Sequence, residues 1–284
     1  MIDKYLDELL LYCKRRNLSE GTTENYISAA RRFLNYFGPE HTIYTMEDAR
    51  DYTDYLTFQH DITAITINSY LRYLHCLYEK VFHIAWDYEL VPSLIEDKHL
   101  PNIITLEEFD LLLDNIVKLK YKCLAALMYS SGLRVSEAVA LRYEDISRSQ
   151  MRIHIRNSKN RCDRYTILSK KCLDLLTEYW YSHKRPTGWL FPSSYSFSGH
   201  AEPETIQMIM QDASKKAGFT KSVRCHDLRH SCATHLLEDG VDLRTIQVIL
   251  GHKEMKSTEI YLTVTNKILT GIRSPFDRER GTNG

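Results

Sequence analysis

Apolar residues recur at helical spacing along most of this 284-residue chain, and strict two-residue alternation occurs at one place only. Ile2, Tyr5, Leu6, Leu9 and Leu10 make one apolar stripe, and Ser19-Glu20-Gly21-Thr22-Thr23 interrupts it with capping residues. Tyr26, Ile27, Ala30, Phe33, Leu34 and Phe37 make the next, closed by Gly38-Pro39. A third helix is expected from Met46 to His60, and a fourth from near Thr63 through Ile67, Tyr70, Leu71, Leu74, Leu77 and Tyr78. The exception lies at 150–168, where Met151, Ile153 and Ile155 alternate with Arg152, His154 and Arg156, and 164–168 supplies a returning strand. Such a pattern predicts a mainly α chain with a small β-sheet or hairpin in its C-terminal part.

Three segments follow from this pattern. Residues 1–88 read as a small helical domain. Residues 89–103, with Pro92 and Pro101, lack periodicity and read as a linker. Residues 104–284 read as a larger, mixed α/β domain. It opens with Thr105-Leu106-Glu107-Glu108, a capping-box form, and a helix from about Lys120 to Tyr129 ends at Ser130-Ser131-Gly132.

Charge divides along the same lines. The chain carries 37 Lys and Arg against 37 Asp and Glu. Residues 1–88 hold 9 basic and 13 acidic side chains, whereas 104–284 hold 27 and 21. The neutral total therefore cancels an acidic front against a basic back, an asymmetry that points to nucleic acid or a membrane. No apolar run approaches the ~20 residues of a spanning helix, and the charged N-terminus lacks the form of a signal peptide. Seven scattered cysteines without C-x-x-C fit reduced thiols in a cytoplasm.

Four constellations carry chemistry. The first is the hairpin, where Arg152, Arg156, Lys159, Arg161 and Arg164 face one acid, Asp163. An isolated basic turn is usually a solvated surface, but this one could also bring an ammonium to a DNA phosphate. The second is Ser131-Gly132-Leu133-Arg134-Val135-Ser136-Glu137, which places Arg134 at a helix start, a location that favours anions, with Glu137 three residues on.

The third runs from Cys225 to His235. His226 and His230 at i, i+4, with two cysteines near, raise a metal site. The absence of C-x-x-C or H-E-x-x-H order argues against it, and His226 beside Arg229 at i, i+3 suits an oxyanion better. The fourth is Leu250-Gly251-His252 followed by Tyr261. Gly251 is an expected helix cap, and Tyr261 is one of nineteen tyrosines, distinguished by its company.

Taken in chain order, Arg134, the hairpin lysine Lys159, His226-x-x-Arg229, Leu250-Gly251-His252 and Tyr261 resemble the active-site signature of the tyrosine recombinases, also called the phage-integrase family, Xer recombinases included. The resemblance covers 130–262 and reaches more weakly into the front, where Thr22 to Tyr26 is similar to a phrase of the family's DNA-contacting core-binding domain. The hairpin departs from the family by lacking its glycines. Lys159 is matched through the returning strand, with Arg161 as the alternative occupant.

The resemblance implies a site-specific DNA recombinase that cleaves and rejoins strands through a covalent 3′-phosphotyrosine, serving integration, excision or transposition. It implies Tyr261 as nucleophile, Arg134, Arg229 and His252 on the phosphate oxygens, and Lys159 as acid toward the leaving 5′-oxygen. His226 is expected to accept or position the tyrosine proton with Glu137 behind it. Two arginines would replace a catalytic cation, so no metal and no cofactor are expected. The expected partner is double-stranded DNA carrying specific recombination sites, bound by a tetramer on two duplexes and met by a monomer in solution. Expected DNA contacts are Arg152, Arg156, Arg161 and Arg164 of the hairpin, and Lys14, Arg15, Arg16, Arg31 and Arg32 of the front domain. Beyond Tyr261, Leu262, Val264, Ile268, Leu269 and Ile272 would pack on their own domain or on a neighbouring protomer. A topoisomerase-like strand relaxer, a non-catalytic DNA-binding regulator and a zinc module are the alternatives.

Overall fold

The computed structural model describes residues 2–59, 62–97, 100–156, 163–183, 185, 187–194 and 196–264. The chain separates into two compact units, 1–99 and 100–284.

The first unit is built from α1 (Ile2–Arg15), α2 (Glu20–Phe37), α3 (Met46–Phe58) and α4 (Ala64–Leu77), the last extended by a π turn over Tyr78–Phe82. The capping residues do what their chemistry dictates. The Thr22 N–H donates to Ser19 Oγ at 3.3 Å and the Thr66 N–H to Thr63 Oγ1 at 3.4 Å, so each hydroxyl satisfies an orphan donor of the helix it opens. Gly38 ends α2 at φ 83°, a backbone conformation that a side chain would resist. The apolar stripes converge on Phe33, whose ring meets Phe37, Tyr44, Tyr52 and Tyr78 within 5.3–5.7 Å. Part of the segment expected as a linker packs on this unit. Val91 is buried in its core, and the Asn68 side-chain amide exchanges two hydrogen bonds with the Leu94 backbone, at 2.8 and 2.9 Å.

The second unit contains α5 (Leu106–Asp114), α6 (Leu119–Ser131), the short α7 (Val135–Val139), strands β1 (Ile146–Ser147), β2 (Arg152–Ile155) and β3 (Arg164–Ile167), and then α8 (Lys170–Ser182), α9 (Pro203–Lys216), α10 (Cys225–Glu238), α11 (Leu243–Leu250) and α12 (Lys256–Val264). The strands form one antiparallel sheet in the order β1-β2-β3, with Ile153 opposite Thr166 and Ile146 opposite Ile153. The hairpin thus has a third strand that the sequence pattern did not announce, because two residues are too few to alternate. Ile153 and Ile155 face the core as the alternation predicts. Helix α6 buries Cys123, Leu124, Ala125, Ala126, Leu127 and Met128 in succession, the mark of a helix enclosed on all sides. The Thr105–Glu108 capping box forms, with Thr105 N donating to Glu108 Oε2 at 2.8 Å.

Lys159 and Arg161, which the sequence reading expects in the hairpin turn, and Ile268, Leu269 and Ile272 lie outside the described residues. Among the described residues no helix is long and apolar enough to cross a membrane.

Candidate active site

One carboxylate organises the site. Glu137 is buried on α7, and three guanidinium groups surround it. Arg134 caps the same helix, its backbone N–H donating to Glu137 Oε2 and its Nη1 to Oε1, both at 2.9 Å. Arg164 on β3 meets both carboxylate oxygens through a parallel fork, each bond 2.8 Å long. Arg229 on α10 stands 3.8 Å from Oε2. Burial alone would raise the Glu137 pKa, but the hydrogen bonds and charge of Arg164, then Arg134, pull it down to about 2.

Arg229 is itself 1% exposed. Its Nη1 donates to the Gly132 carbonyl at 2.6 Å and its Nη2 to the Leu250 carbonyl at 2.7 Å. These are carbonyls at the C-terminal ends of α6 and α11, where the helix dipoles are negative, so a buried cation is placed where backbone charge favours it. Gly132 (φ 62°) must be glycine on two counts. Its backbone is left-handed, and a Cβ there would stand 2.7 Å from Leu250 Cδ2. Burial first, then Arg134, push the Arg229 pKa down to about 10.

Tyr261 lies on α12 and is 1% exposed, packed against Ala233, Leu237, Ile246 and Leu250. His230 Nδ1 lies 3.1 Å from its hydroxyl, within hydrogen-bond distance. The His252 imidazole lies nearly parallel to the tyrosine ring, at 14° and 6.4 Å between centroids. His252 is oriented from three sides. Its Nδ1 meets the buried Thr258 hydroxyl at 2.9 Å, its N–H donates to the Gln247 carbonyl, and its carbonyl accepts from Gln247 Nε2. Just before it, Gly251 ends α11 at φ 66°, and a Cβ there would stand 2.6–2.9 Å from the Arg164 guanidine. Burial followed by the charges of Arg229 and Arg134 brings the His252 pKa down to about 4. Burial and then His226 do the same to His230, also to about 4. Burial raises the Tyr261 phenol to about 12, against the pull of Arg229.

The structure therefore gathers Arg134, Glu137, Arg229, His252 and Tyr261 in one unit around one charge centre. His226 stands on the exposed side of α10, edge-to-face on His230 at 4.7 Å, and burial followed by Arg229 and Arg134 lowers its pKa. Two expectations are corrected. The phenol's hydrogen-bond partner is His230 rather than His226, and the carboxylate of Glu137 holds arginines rather than backing a histidine. Arg164, expected on DNA, turns inward, because its fork fits Glu137 and its Nε donates to the Ile249 carbonyl at 3.2 Å. Arg156 is tied to Asp145 at 2.6 Å and Glu144 at 3.0 Å, and Arg152 lies 4.1 Å over the Tyr165 ring. In the first unit, Lys14, Arg15, Arg16, Arg31 and Arg32 are exposed, and Arg32 donates to the Tyr70 hydroxyl at 2.6 Å.

His230, Thr258 and Gln247 are site residues that sequence reasoning missed. His230 had been weighed only as half of an i, i+4 metal pair with His226.

Residues 102–267 match the phage integrase family, and residues 5–88 match the phage integrase N-terminal SAM-like domain. The chain is 33% identical over 266 residues to a Sinorhizobium fredii protein named as an integrase/recombinase, y4qK, which covers 92% of this chain and 85% of that protein. It is 29% identical to a tyrosine recombinase of Thermosipho africanus, over 89% of this chain and 92% of that one. In fold it is similar to the Tn1549 transposon integrase in complex with transposon right end DNA, with a TM-score of 0.73 and 16% identity over 96% of each chain.

Proposed function

The chain belongs to the phage integrase family and is a tyrosine-type site-specific recombinase, an enzyme that breaks and rejoins DNA strands; from that premise we propose that Tyr261 is its nucleophile and that Arg134, Arg229, His226 and His252 hold the scissile phosphate. The observation that supports this most directly is the surplus of positive charge beside the Tyr261 hydroxyl. Arg134 depresses the pKa of Arg229, both arginines depress the histidine His252, and the single carboxylate Glu137 does not offset three guanidiniums. A phosphodiester placed between Arg134 and His252 relieves that repulsion. The relief grows as negative charge accumulates on the non-bridging oxygens during attack, so the binding energy is concentrated in the transition state.

The residues divide the work. Arg134 is the partly exposed cation that meets the phosphate. Arg229, fixed by two carbonyls, supplies a buried charge that does not reorganise. His252, oriented by Thr258, donates from its remaining nitrogen. Lys159 protonates the departing 5′-oxygen. The product is a 3′-phosphotyrosine whose reversal rejoins the strand without another energy source, because phenolate is itself a competent leaving group. Tyr261 is covered in the DNA-free protein, so attack requires α12 to shift when DNA arrives. The substrate is double-stranded DNA, engaged by the first unit through Lys14, Arg15, Arg16, Arg31 and Arg32. The strand exchange is carried out by a tetramer on two duplexes, assembled from monomers in the cytoplasm.

The test uses full-length protein and a nicked duplex bearing the sequence recovered by selecting SDS-stable adducts from a random-sequence library. A covalent complex is expected in excess EDTA with the wild type and none with Tyr261→Phe. Adduct formation by Tyr261→Phe, or adduct formation that stops on adding EDTA, contradicts the assignment.

A further inference from the structure

We propose that Arg164 is a positioning residue of this reaction: it saturates the Glu137 carboxylate, so that Arg134 and Arg229 stay available to the phosphate, and it locks that cluster to the helix end that carries His252. The inference rests on the reading of Arg134, Arg229 and His252 as phosphate-holding groups and gives a role to a guanidinium which that reading does not use.

A carboxylate offers about four lone-pair positions, two on each oxygen. At Glu137 two arginines fill them. Oε1 accepts from Arg134 Nη1 at 2.9 Å and from Arg164 Nη1 at 2.8 Å. Oε2 accepts from the Arg134 backbone N–H at 2.9 Å and from Arg164 Nη2 at 2.8 Å. Arg134 therefore commits a single side-chain nitrogen to the pair. Without the Arg164 fork, each oxygen of the buried carboxylate would lose one donor. The groups placed to replace it are the second arm of Arg134 and the guanidinium of Arg229, 3.8 Å from Oε2. A buried carboxylate short of donors is costly, so it would draw them in. Both would then face Glu137 rather than an incoming phosphate.

The two arginines that fork onto Glu137 and cap it differ in burial. The Arg164 side chain is 9% exposed and that of Arg134 19%, so the first is enclosed while the second keeps an open edge. Against the effect of burial, Arg164 acts more strongly than Arg134 in keeping Glu137 ionised. The third nitrogen of Arg164 reaches the other half of the site. Nε donates to the Ile249 carbonyl at 3.2 Å, at the C-terminal end of α11, where the helix dipole favours a cation. A Cβ on Gly251 would stand 2.6–2.9 Å from the Arg164 side chain, and His252 is the next residue. One side chain on β3 thus spans from the carboxylate that orients Arg134 to the turn that presents His252.

The experiment measures single-turnover adduct formation, at saturating full-length protein, on two versions of the selected nicked duplex described above. One carries the ordinary phosphodiester and the other a methylphosphonate at the cleaved position. The methyl group replaces a non-bridging oxygen, so the linkage has one negative charge fewer and one cation can be withdrawn from it at little cost. On the phosphodiester, Arg164→Met is expected to slow the reaction by about 10²-fold, the cost of a misplaced group. Arg164→Lys keeps the charge beside Glu137, and with it the fold, but not the fork, and should slow the reaction by roughly tenfold. On the methylphosphonate both variants should come within about threefold of wild type. A defect of folding would slow both linkages alike. A wild-type rate for Arg164→Lys on the phosphodiester overturns the assignment, as does a slowing of equal size on the two linkages. Arg134→Ala runs in parallel. If it too is slowed equally on both, the phosphate reading itself has failed, whereas recovery of Arg134→Ala alone on the methylphosphonate sinks this inference only.

Discussion

The two units of this chain fill their interiors with different chemistry. Among the described residues, Thr53 is the one buried polar side chain of the first unit apart from its tyrosines and Cys13, and no charged side chain is buried there; its core is a set of rings around Phe33. The second unit buries Glu137, Asp145, Asp227 and Arg229. A buried charge gains little net stability over an apolar residue of the same size, because desolvation offsets most of the attraction. The contrast therefore separates a unit whose core is built for cohesion from one that keeps charge inside, as the phosphate site proposed around Glu137 and Arg229 requires.

The sharpest way to break that contrast is Glu137→Gln. Removing the carboxylate leaves Arg134, Arg164 and Arg229 facing one another, and the expected cost is ~3–5 kcal/mol in the second unit. Misplacement of the arginines should slow adduct formation by about 10²-fold or more. Denaturant unfolding and a single-turnover assay read the two effects, and a wild-type rate would mean that Glu137 does not position the cations. Phe33→Ala should be comparably costly, ~3–5 kcal/mol, but confined to the unfolding transition of the first unit. A shift of the second unit's transition instead would show that the two cores are not independent.

A smaller effect comes from pH. His230 and His252 have folded-state pKa values pushed down to about 4, against an ordinary value near ~6.5. The unfolded chain therefore binds protons first, and the stability these neutral rings contribute is fully present above about pH 6.5. It is lost as pH falls toward 4. The carboxylate of Glu137, held down to about 2, keeps its own contribution through that window. Thermal melting from pH 7 to 4.5 should lower the second unit's transition more than the first's, and replacing both histidines by Asn should flatten the difference. The smallest effect is expected from Tyr78→Phe, which removes the 2.9 Å bond to the Thr45 carbonyl from the aromatic core. About 1 kcal/mol should be lost, with adduct formation unchanged.

The same contrast governs what could be read from the chain beforehand. The first unit was legible because apolar spacing and caps such as Ser19 and Thr63 decide a helical core locally. The motifs of the second unit were legible as residue types, since Arg134, Arg229, His252 and Tyr261 each stand in a distinctive phrase. Their pairings were not. Arg164 looked like one more surface cation of a basic hairpin, and only the tertiary approach of β3 to α7 and α11 turns it onto Glu137. His230 was hidden by its neighbour, because a histidine at i, i+4 from His226 suggests a shared ligand until α12 is seen to bring Tyr261 against it. Arg134-x-x-Glu137, Arg142-x-x-Asp145 and Arg224-x-x-Asp227 repeat one device, an arginine whose backbone N–H is capped by the acid three residues later. That repetition was present in the sequence and would have identified three turn or helix starts.

The most direct test of the account is to digest the SDS-stable adduct of wild-type protein and sequence the nucleotide-bearing peptide by mass spectrometry. The modified peptide should be the one from α12, with the phosphate on Tyr261. Modification of any other residue, or an adduct that persists in Tyr261→Phe, would contradict it.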